Sequence, residues 1–239
     1  MTVLEKNICT VKKRISTACH QAQRFNNSVY LLAVSKTRDI NTIKSAYDLG
    51  LRAFGENYIN EASEKIPFLP ADIEWHFIGP IQSNKTRTIA ELFAWVHSID
   101  REKIAQRLND QRPAHLPPLQ CLIQVNISKE PQKAGVLPEG VLPLANIILT
   151  LPHLKLRGLM AIPNPNQPEN NLANDFANMA MLLRQLQTVA PDADTLSMGM
   201  SADLELAIQH GATIVRIGTD IFGARDYSSE TDPSVEKNT

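Results

Sequence analysis

The sequence has no excess of charge of either sign, and this limits the partners that it can attract. Its 239 residues include 24 lysines and arginines against 25 aspartates and glutamates, so the formal net charge is -1 at pH 7. A nearly neutral chain has no general electrostatic attraction for nucleic acid or for an anionic membrane. We therefore expect neither as a partner, and any anionic ligand must be held by a few local groups.

Cysteine is scarce, and the spacings typical of metal ligands are absent. The three cysteines, Cys9, Cys19 and Cys121, form no CxxC pair, and the six histidines show no HExxH pattern. Structural zinc sites and the disulfide frameworks of small domains depend on such spacings. We therefore expect neither a disulfide framework nor a bound metal.

Long apolar runs are absent as well. No run approaches the roughly 20 apolar residues that a helix needs to cross a bilayer. Charged residues interrupt the amino-terminal segment 1–16 at five positions: Glu5, Lys6, Lys12, Lys13 and Arg14. This excludes the apolar centre of a secretory signal. We expect a cytoplasmic protein that acts as a monomer.

What the chain does contain is a repeated alternation of strand-like and helix-like segments. An amphipathic helix is predicted first, over residues 3–24. Strands are then predicted at 30–37, 52–55, 74–78, 95–99, 119–127, 154–161, 194–197 and 213–217. Helices are predicted between them at 39–50, 57–66, 83–93, 100–111, 138–150, 171–189 and 201–210. The order is strand, helix, strand, helix throughout.

This alternation predicts one α/β domain, a single (β/α)8 TIM barrel with an extra N-terminal helix. The length suits a fold of about 250 residues, whereas an open doubly wound sheet more often has about six strands. The hydrophobic content of 43% is enough for a sizeable core. We expect the barrel to occupy residues 1–227 and a polar tail to occupy residues 228–239.

The first strand ends on a lysine that is a candidate for chemistry. In the stretch YLLAVSKT the apolar residues are continuous, which is typical of a strand covered on both faces, and Lys36 follows at its carboxyl end. Ligands bind at that end in α/β barrels. An amine in apolar surroundings disfavours its charged form and can act as a nucleophile towards a carbonyl. The alternative is a solvated lysine that opens a loop.

Two glycine-containing loops follow the last two strands, and both are typical of anion binding. Gly199 in SMGMSAD and Gly218 in RIGTDIFG allow close backbone approach, while Ser201 and Thr219 stand where short helices are predicted to begin. Either loop alone could be an ordinary helix cap. Together, in a closed barrel, they face the strand of Lys36 and predict a phosphorylated carbonyl ligand.

Arg216 lies inside the last predicted strand, where a buried charge needs a partner. Its guanidinium can donate to a ring nitrogen of a heteroaromatic cofactor. The alternative is a structural ion pair.

Six motifs of the chain closely resemble those of one family. They are LLAVSKT, FGENYINE, WHFIGPIQSNK, LRGLMAIP, LSMGMSADLELAI and VRIGTDIFGAR. The family is that of the pyridoxal phosphate homeostasis proteins, cofactor-binding barrels similar to the N-terminal domain of alanine racemase, and the resemblance spans about residues 3–227. It implies that pyridoxal 5'-phosphate (PLP) forms a Schiff base with Lys36. It also implies phosphate contacts from Ser201, Gly218 and Thr219, and a pyridine nitrogen that faces Arg216.

Three further positions come with the resemblance. Asn57 and His76 are implied to contact the cofactor, although Asn57 could instead cap its helix and His76 could be a core histidine. Asp220 departs from the family, in which this position is often small and neutral. A carboxylate beside the phosphate loops weakens anion binding unless its side chain points outward.

The resemblance implies a non-catalytic protein that holds PLP and supplies it to apo forms of PLP-dependent enzymes. The alternatives are an amino-acid racemase and a regulatory protein whose partner recognises the loaded state. Racemisation needs a second base, which in the similar racemases is a tyrosine from a partner subunit that has an additional C-terminal domain. Only about 14 polar residues follow the last motif here, with Tyr227 as the lone nearby tyrosine. We therefore expect no turnover.

Overall fold

Eight parallel strands close into a barrel in the computed structural model, which describes residues 1–164 and 166–224. The strands are β1 Tyr30–Val34, β2 Ala53–Glu56, β3 Glu74–Phe77, β4 Trp95–Ile99, β5 Leu119–Val125, β6 Leu154–Ala161, β7 Thr195–Ser197 and β8 Ile214–Ile217. Each strand pairs with the next, and β8 pairs with β1. The predicted (β/α)8 barrel is therefore confirmed.

Helices connect the strands and cover the barrel. They are α1 Val3–Gln21, α2 Ile40–Asp48, α3 Ile59–Lys65, α4 Thr86–Leu92, α5 Glu102–Gln111, α6 Val141–Ile148, α7 Glu169–Leu186, α8 Leu204–Gln209 and α9 Thr219–Phe222. Short 3-10 turns at Ile66–Phe68, Ser83–Lys85 and Pro138–Gly140 adjoin α3, α4 and α6. The predicted helices at 57–66, 83–93 and 138–150 are therefore shorter α-helices, each with one 3-10 turn at an end.

Local sequence explains several of the helix ends. Asp39 caps α2 as predicted, because its carboxylate accepts a hydrogen bond from the backbone nitrogen of Thr42 at 2.7 Å. Helix α1 stops at Gln21 rather than at residue 24, and Gln23 just beyond it has a φ of 54°, which is incompatible with a right-handed helix. Pro143 is tolerated in the first turn of α6, where its missing N–H has no intrahelical partner to lose.

Strand alternation divides the buried side chains into two sets. Phe54, Trp75 and Phe77 face outward and join the large core between the barrel and its helices. Inside the barrel, Leu32, Ala53 and Ile214 form a much smaller apolar cluster. The rest of the interior includes buried polar groups, which must be hydrogen-bonded to be tolerated there.

Helix α1 lies outside the regular repeat and packs against α8 and α9. The Asn7 side-chain amide donates to the backbone oxygen of Ile221 in α9 at 3.0 Å. The extra N-terminal helix therefore supports the two segments that follow β7 and β8.

In the described ranges, no helix combines the length and the apolar character needed to span a membrane. The predicted polar tail, 228–239, lies outside the described residues, as do the last residues assigned to the barrel, 225–227.

Candidate cofactor site

Lys36 lies two residues past the end of β1, at the parity of the side chains of that strand that point into the barrel. Leu32 belongs to the interior cluster, and Lys36 follows at the same parity, whereas Ser35 points outward and bonds Glu56. The next residue, Thr37, has a positive φ of 63°. Its backbone nitrogen donates to Glu61 Oε1 in α3 at 2.6 Å, so the turn after Lys36 is fixed from outside the barrel.

A buried ion pair lies on the outer side of the same strand ends. Ser35 Oγ donates to Glu56 Oε1 at 2.6 Å, and Lys65 Nζ lies 3.3 Å from that same oxygen. Lys65 also donates to the backbone oxygen of Ser35 at 3.2 Å and pairs with Glu61. These contacts join β1, β2 and α3 directly behind Lys36. These contacts are not evident from the sequence, although a glutamate at the end of a buried strand signals that a cation is needed nearby.

Burial raises the pKa of Glu56 from 4.5 to about 7, and Lys65 and the Ser35 hydroxyl offset only part of this increase. Its second oxygen, Oε2, is buried without a hydrogen-bond partner among the described residues. The carboxyl group behind Lys36 therefore changes its charge near neutral pH.

The loop after β7 begins alongside β8, because the backbone nitrogen of Arg216 donates to the oxygen of Gly199 at 2.9 Å. Gly199 has a φ of 93°, and a Cβ there would lie 2.6 Å from the Ala207 Cβ atom. Helix packing thus requires this glycine, whatever the loop binds. Thr219 begins α9, which is a single turn of four residues, so its helix dipole contributes little.

Arg14 of α1 connects both loops. Its guanidinium donates to Glu205 Oε1 at 2.7 Å and to the backbone oxygen of Ser201 at 2.9 Å. It also forms a salt bridge with Asp220 in α9. Asp220 is therefore paired with a cation, so the departure noted in the sequence leaves no unpaired carboxylate beside these loops. This role of Arg14 is not visible in the sequence, since its partners are about 200 positions away.

Arg216 is buried inside the barrel, with only 4% of its surface exposed. Its two terminal nitrogens donate to Ser197 Oγ at 2.8 Å and to the backbone oxygen of Ala161 at 2.9 Å. Burial lowers the pKa of Arg216 to about 10, while Asp203 acts in the opposite direction, so the guanidinium stays charged at neutral pH. In the described part of the chain, its side-chain hydrogen bonds go to neutral oxygens and no salt bridge supports the ion-pair alternative.

Asn57 and His76 were both predicted to contact a cofactor. Asn57 lies just past the end of β2, whereas His76 lies within β3 inside the barrel. Asn57 does not cap α3, whose N-cap residue is Tyr58, so the capping alternative is wrong. Its Oδ1 atom is buried and has no hydrogen-bond partner within the described ranges. His76 is fully buried in the barrel, and its two ring nitrogens contact His97 and Glu74, each at 2.9 Å. This is the arrangement of a core histidine.

The carboxyl ends of β8, β1 and β2 thus bring together residues from distant parts of the sequence. Lys36 and Asn57 follow two neighbouring strands, and Gly218 approaches Val34 from the third. Among the described residues, no cluster of histidine, cysteine and acidic side chains is suited to hold a metal ion. What this edge offers is an amine, an amide and a buried guanidinium.

The fold and these residues define a class of protein. Residues 12–226 match the family described as alanine racemase, N-terminal domain. The pyridoxal phosphate homeostasis protein of Haemophilus influenzae is 52% identical over 231 residues, which cover 95% of this chain and 98% of the relative. That of Escherichia coli K12 is 49% identical over 234 residues, with 96% and 100% covered. The chain belongs to the pyridoxal phosphate homeostasis protein family.

Solved structures agree with this assignment. PipY of Synechococcus elongatus, solved without PLP, is 35% identical, with a TM-score of 0.80 over 89% of this chain and 99% of PipY. PipY with PLP bound gives 34% identity and a TM-score of 0.74 over 87% of this chain and all of PipY. Alanine racemase of Corynebacterium glutamicum, at 13% identity and a TM-score of 0.65, covers 93% of this chain and 61% of its own, and shows the common fold alone.

The raised pKa of Glu56 predicts a specific pH dependence of stability. Between pH 4.5 and about 7 the folded protein keeps a proton that the unfolded chain has released, so Glu56 makes the folded state less stable as the pH rises. We expect the free energy of unfolding of the wild type, minus that of Glu56→Gln, to fall across this window by up to about 1.4 kcal/mol per pH unit. Urea unfolding at several pH values measures it.

Glu64→Gln is the matched control, because Glu64 lies on α3 and is exposed. Its difference from the wild type should show no such decline. A Glu56→Gln difference that stays constant or grows with pH would contradict the assignment of the raised pKa.

Proposed function

We propose that this protein binds PLP at the carboxyl ends of its barrel strands and takes part in intracellular PLP homeostasis without catalysing a reaction. The observation that supports the proposal is the position of Lys36, an amine just past the carboxyl end of β1, at the parity of the interior residue Leu32 and next to the β8 strand of Arg216. The names of the curated relatives and the PLP-bound structure of PipY support it.

The residues at this edge fit the functional groups of PLP. The cofactor supplies an aldehyde that condenses with a primary amine, and Lys36 provides the amine for this Schiff base. Ser201, Gly218 and Thr219 provide hydroxyl and backbone donors for a phosphate. Arg216 provides a guanidinium donor for the ring nitrogen. The unpartnered Oδ1 atom of Asn57 is an acceptor for a hydroxyl group.

We do not assign a direct cofactor contact to His76. Both of its ring nitrogens are engaged with other side chains, and its neighbour in β2 is Gly55, two residues before Asn57. His76 therefore lies deeper in the barrel than the residues at the mouth.

The absence of turnover is part of the proposal, and the charge of Arg216 supports it. With a pKa of about 10 the guanidinium remains a cation at neutral pH, so it disfavours protonation of a ring nitrogen that it faces. An unprotonated ring withdraws electrons less strongly and is a weaker aid to carbanion chemistry.

We further propose that the protein acts as a monomer and that apo PLP-dependent enzymes receive the cofactor from it.

Lys36→Ala should abolish covalent attachment of PLP. We expect the loaded wild type to absorb in the visible range, and borohydride reduction followed by peptide mapping to place the pyridoxyl group on Lys36. Lys85→Ala is the control, because that lysine is held by Asn60 on the surface and should leave labelling unchanged. A label on another lysine of the wild type would refute the assignment.

Replacing both Ser201 and Thr219 by alanine should weaken the binding of PLP much more than that of pyridoxal, which lacks the phosphate. Each lost hydrogen bond to the phosphate dianion is worth about 1.5 to 3 kcal/mol, which corresponds to a tenfold loss of affinity or more. Equilibrium titration of both ligands tests this. Equal losses for the two ligands would mean that these loops do not hold the phosphate.

The loaded protein should not racemise amino acids. Incubation with L- and D-alanine and a panel of other amino acids, followed by chiral chromatography, should show no more conversion than free PLP at the same concentration. Turnover by the wild type that disappears in Lys36→Ala would overturn the non-catalytic part of the proposal and favour the racemase alternative.

A further inference from the structure

A chain of hydrogen bonds crosses the barrel interior from Arg216 to Glu74. Arg216 contacts Ser197 Oγ at 2.8 Å, and Ser197 Oγ lies 3.0 Å from His97 Nδ1. His97 Nε2 lies 2.9 Å from His76 Nδ1, and His76 Nε2 lies 2.9 Å from Glu74 Oε1. The five side chains come from β8, β7, β4 and β3, which makes the chain a property of the closed barrel.

With both histidines neutral and Glu74 ionised, the chemistry of the end groups fixes the direction of every bond in this chain. A guanidinium only donates, so Ser197 accepts from Arg216, and its own hydroxyl hydrogen is available for His97 Nδ1. His97 then carries its hydrogen on Nε2 and donates it to His76 Nδ1. His76 carries its hydrogen on Nε2 and donates it to the carboxylate of Glu74. Reversing the two histidines would place an unprotonated nitrogen of His76 against a carboxylate, which only accepts.

The surroundings agree with neutral histidines between a cation and an anion. Burial lowers the pKa of both histidines; Glu74 offsets part of this for His76, whereas His76 and Arg216 lower the pKa of His97 further. The hydrogen bond from His76 lowers the pKa of Glu74, and Trp95 and Arg157 act in the same direction.

The two ends of the chain have different environments. Glu74 has a side chain that is 40% exposed and lines a cavity of about 490 Å³ at the amino-terminal mouth of the barrel, so its charge reaches solvent. At the other end, Asp203 influences Arg216 electrostatically, but the hydrogen bonds of the guanidinium go to Ser197 and to the backbone of Ala161. The chain therefore connects the buried cation to an anion at the opposite mouth.

We propose that Ser197, His97, His76 and Glu74 are positioning residues that hold the Arg216 guanidinium in place for the ring nitrogen of PLP, with both imidazoles in the neutral Nε2–H form. The proposal rests on the proposed function for its ligand, but the direction of the chain is a property of the protein alone. Two experiments separate these parts.

The first experiment is nitrogen-detected NMR of the protein without PLP. The side-chain resonances of His76 and His97, assigned with His→Gln variants, should both show the neutral Nε2–H pattern at pH 7. Glu74→Gln, which keeps an accepting oxygen, should preserve this pattern, whereas Glu74→Met should leave His76 as a mixture of tautomers. An Nδ1–H tautomer or a protonated ring on either histidine of the wild type would overturn the proposal.

The second experiment compares PLP with its 1-deaza analogue, in which carbon replaces the ring nitrogen. Ser197→Ala and Glu74→Met should each weaken PLP binding about fivefold, the value of one ordinary hydrogen bond, and leave binding of the analogue unchanged. Thr195→Val is the matched control, because Thr195 lies on the same strand and its hydroxyl bonds Asp194, outside the chain. Glu74→Gln should bind both ligands as the wild type does.

The outcomes separate the two claims. Equal losses for PLP and its analogue would show a merely structural role and overturn the positioning proposal while leaving PLP binding intact. A wild type that binds neither ligand would refute the proposed function, and the NMR experiment would still decide the direction of the chain.

Discussion

The buried guanidinium of Arg216 is the constraint on which the barrel interior depends. A cation without water is expensive unless hydrogen bonds and charge compensate it, and a barrel of this size has an interior filled by side chains. Oxygens from β6 and β7 accept hydrogen bonds from the guanidinium. From there a chain of hydrogen-bonded imidazoles leads to the carboxylate of Glu74. If Arg216 contacts the cofactor as proposed, the cofactor edge and the polar core share this one arginine.

The edge is also held from outside, by one cation on each side. Arg14 of α1 connects the backbone of Ser201 to Glu205 and Asp220, which joins the segments after β7 and β8. Lys65 of α3 joins the ends of β1 and β2 through Glu56. The ion pairs of Arg14 and of Lys65 differ in how strongly solvent screens them. The side chains around Arg14 are about one-third exposed, so solvent screens them, whereas those of Lys65 and Glu56 are buried.

The fold could be predicted from local pattern, because each strand and helix shows its own periodicity within 5 to 20 residues. The position of Lys36 just after a strand could be predicted for the same reason, since a strand end is visible in the sequence. The chain of hydrogen bonds from Arg216 to Glu74 could not be predicted from local pattern. His97 and Ser197 are 100 positions apart, and their contact depends on which face of β4 and β7 turns inward after closure. Arg14 and Asp220, 206 positions apart, meet only because α1 packs on α9.

Strand parity explains why binding groups and structural groups stand next to each other in the sequence. Ser35 bonds Glu56 on the outer side of the barrel, and Lys36 follows it at the opposite parity; Glu56 and Asn57 are related in the same way one strand away. Each of the two residues proposed to hold the ligand here is therefore one peptide unit from a buried polar contact. Because the pKa of Glu56 is raised to about 7, the charge behind Lys36 depends on pH near neutrality. The position of the amine is thus coupled to an ionisation on the outer side of the same strand ends.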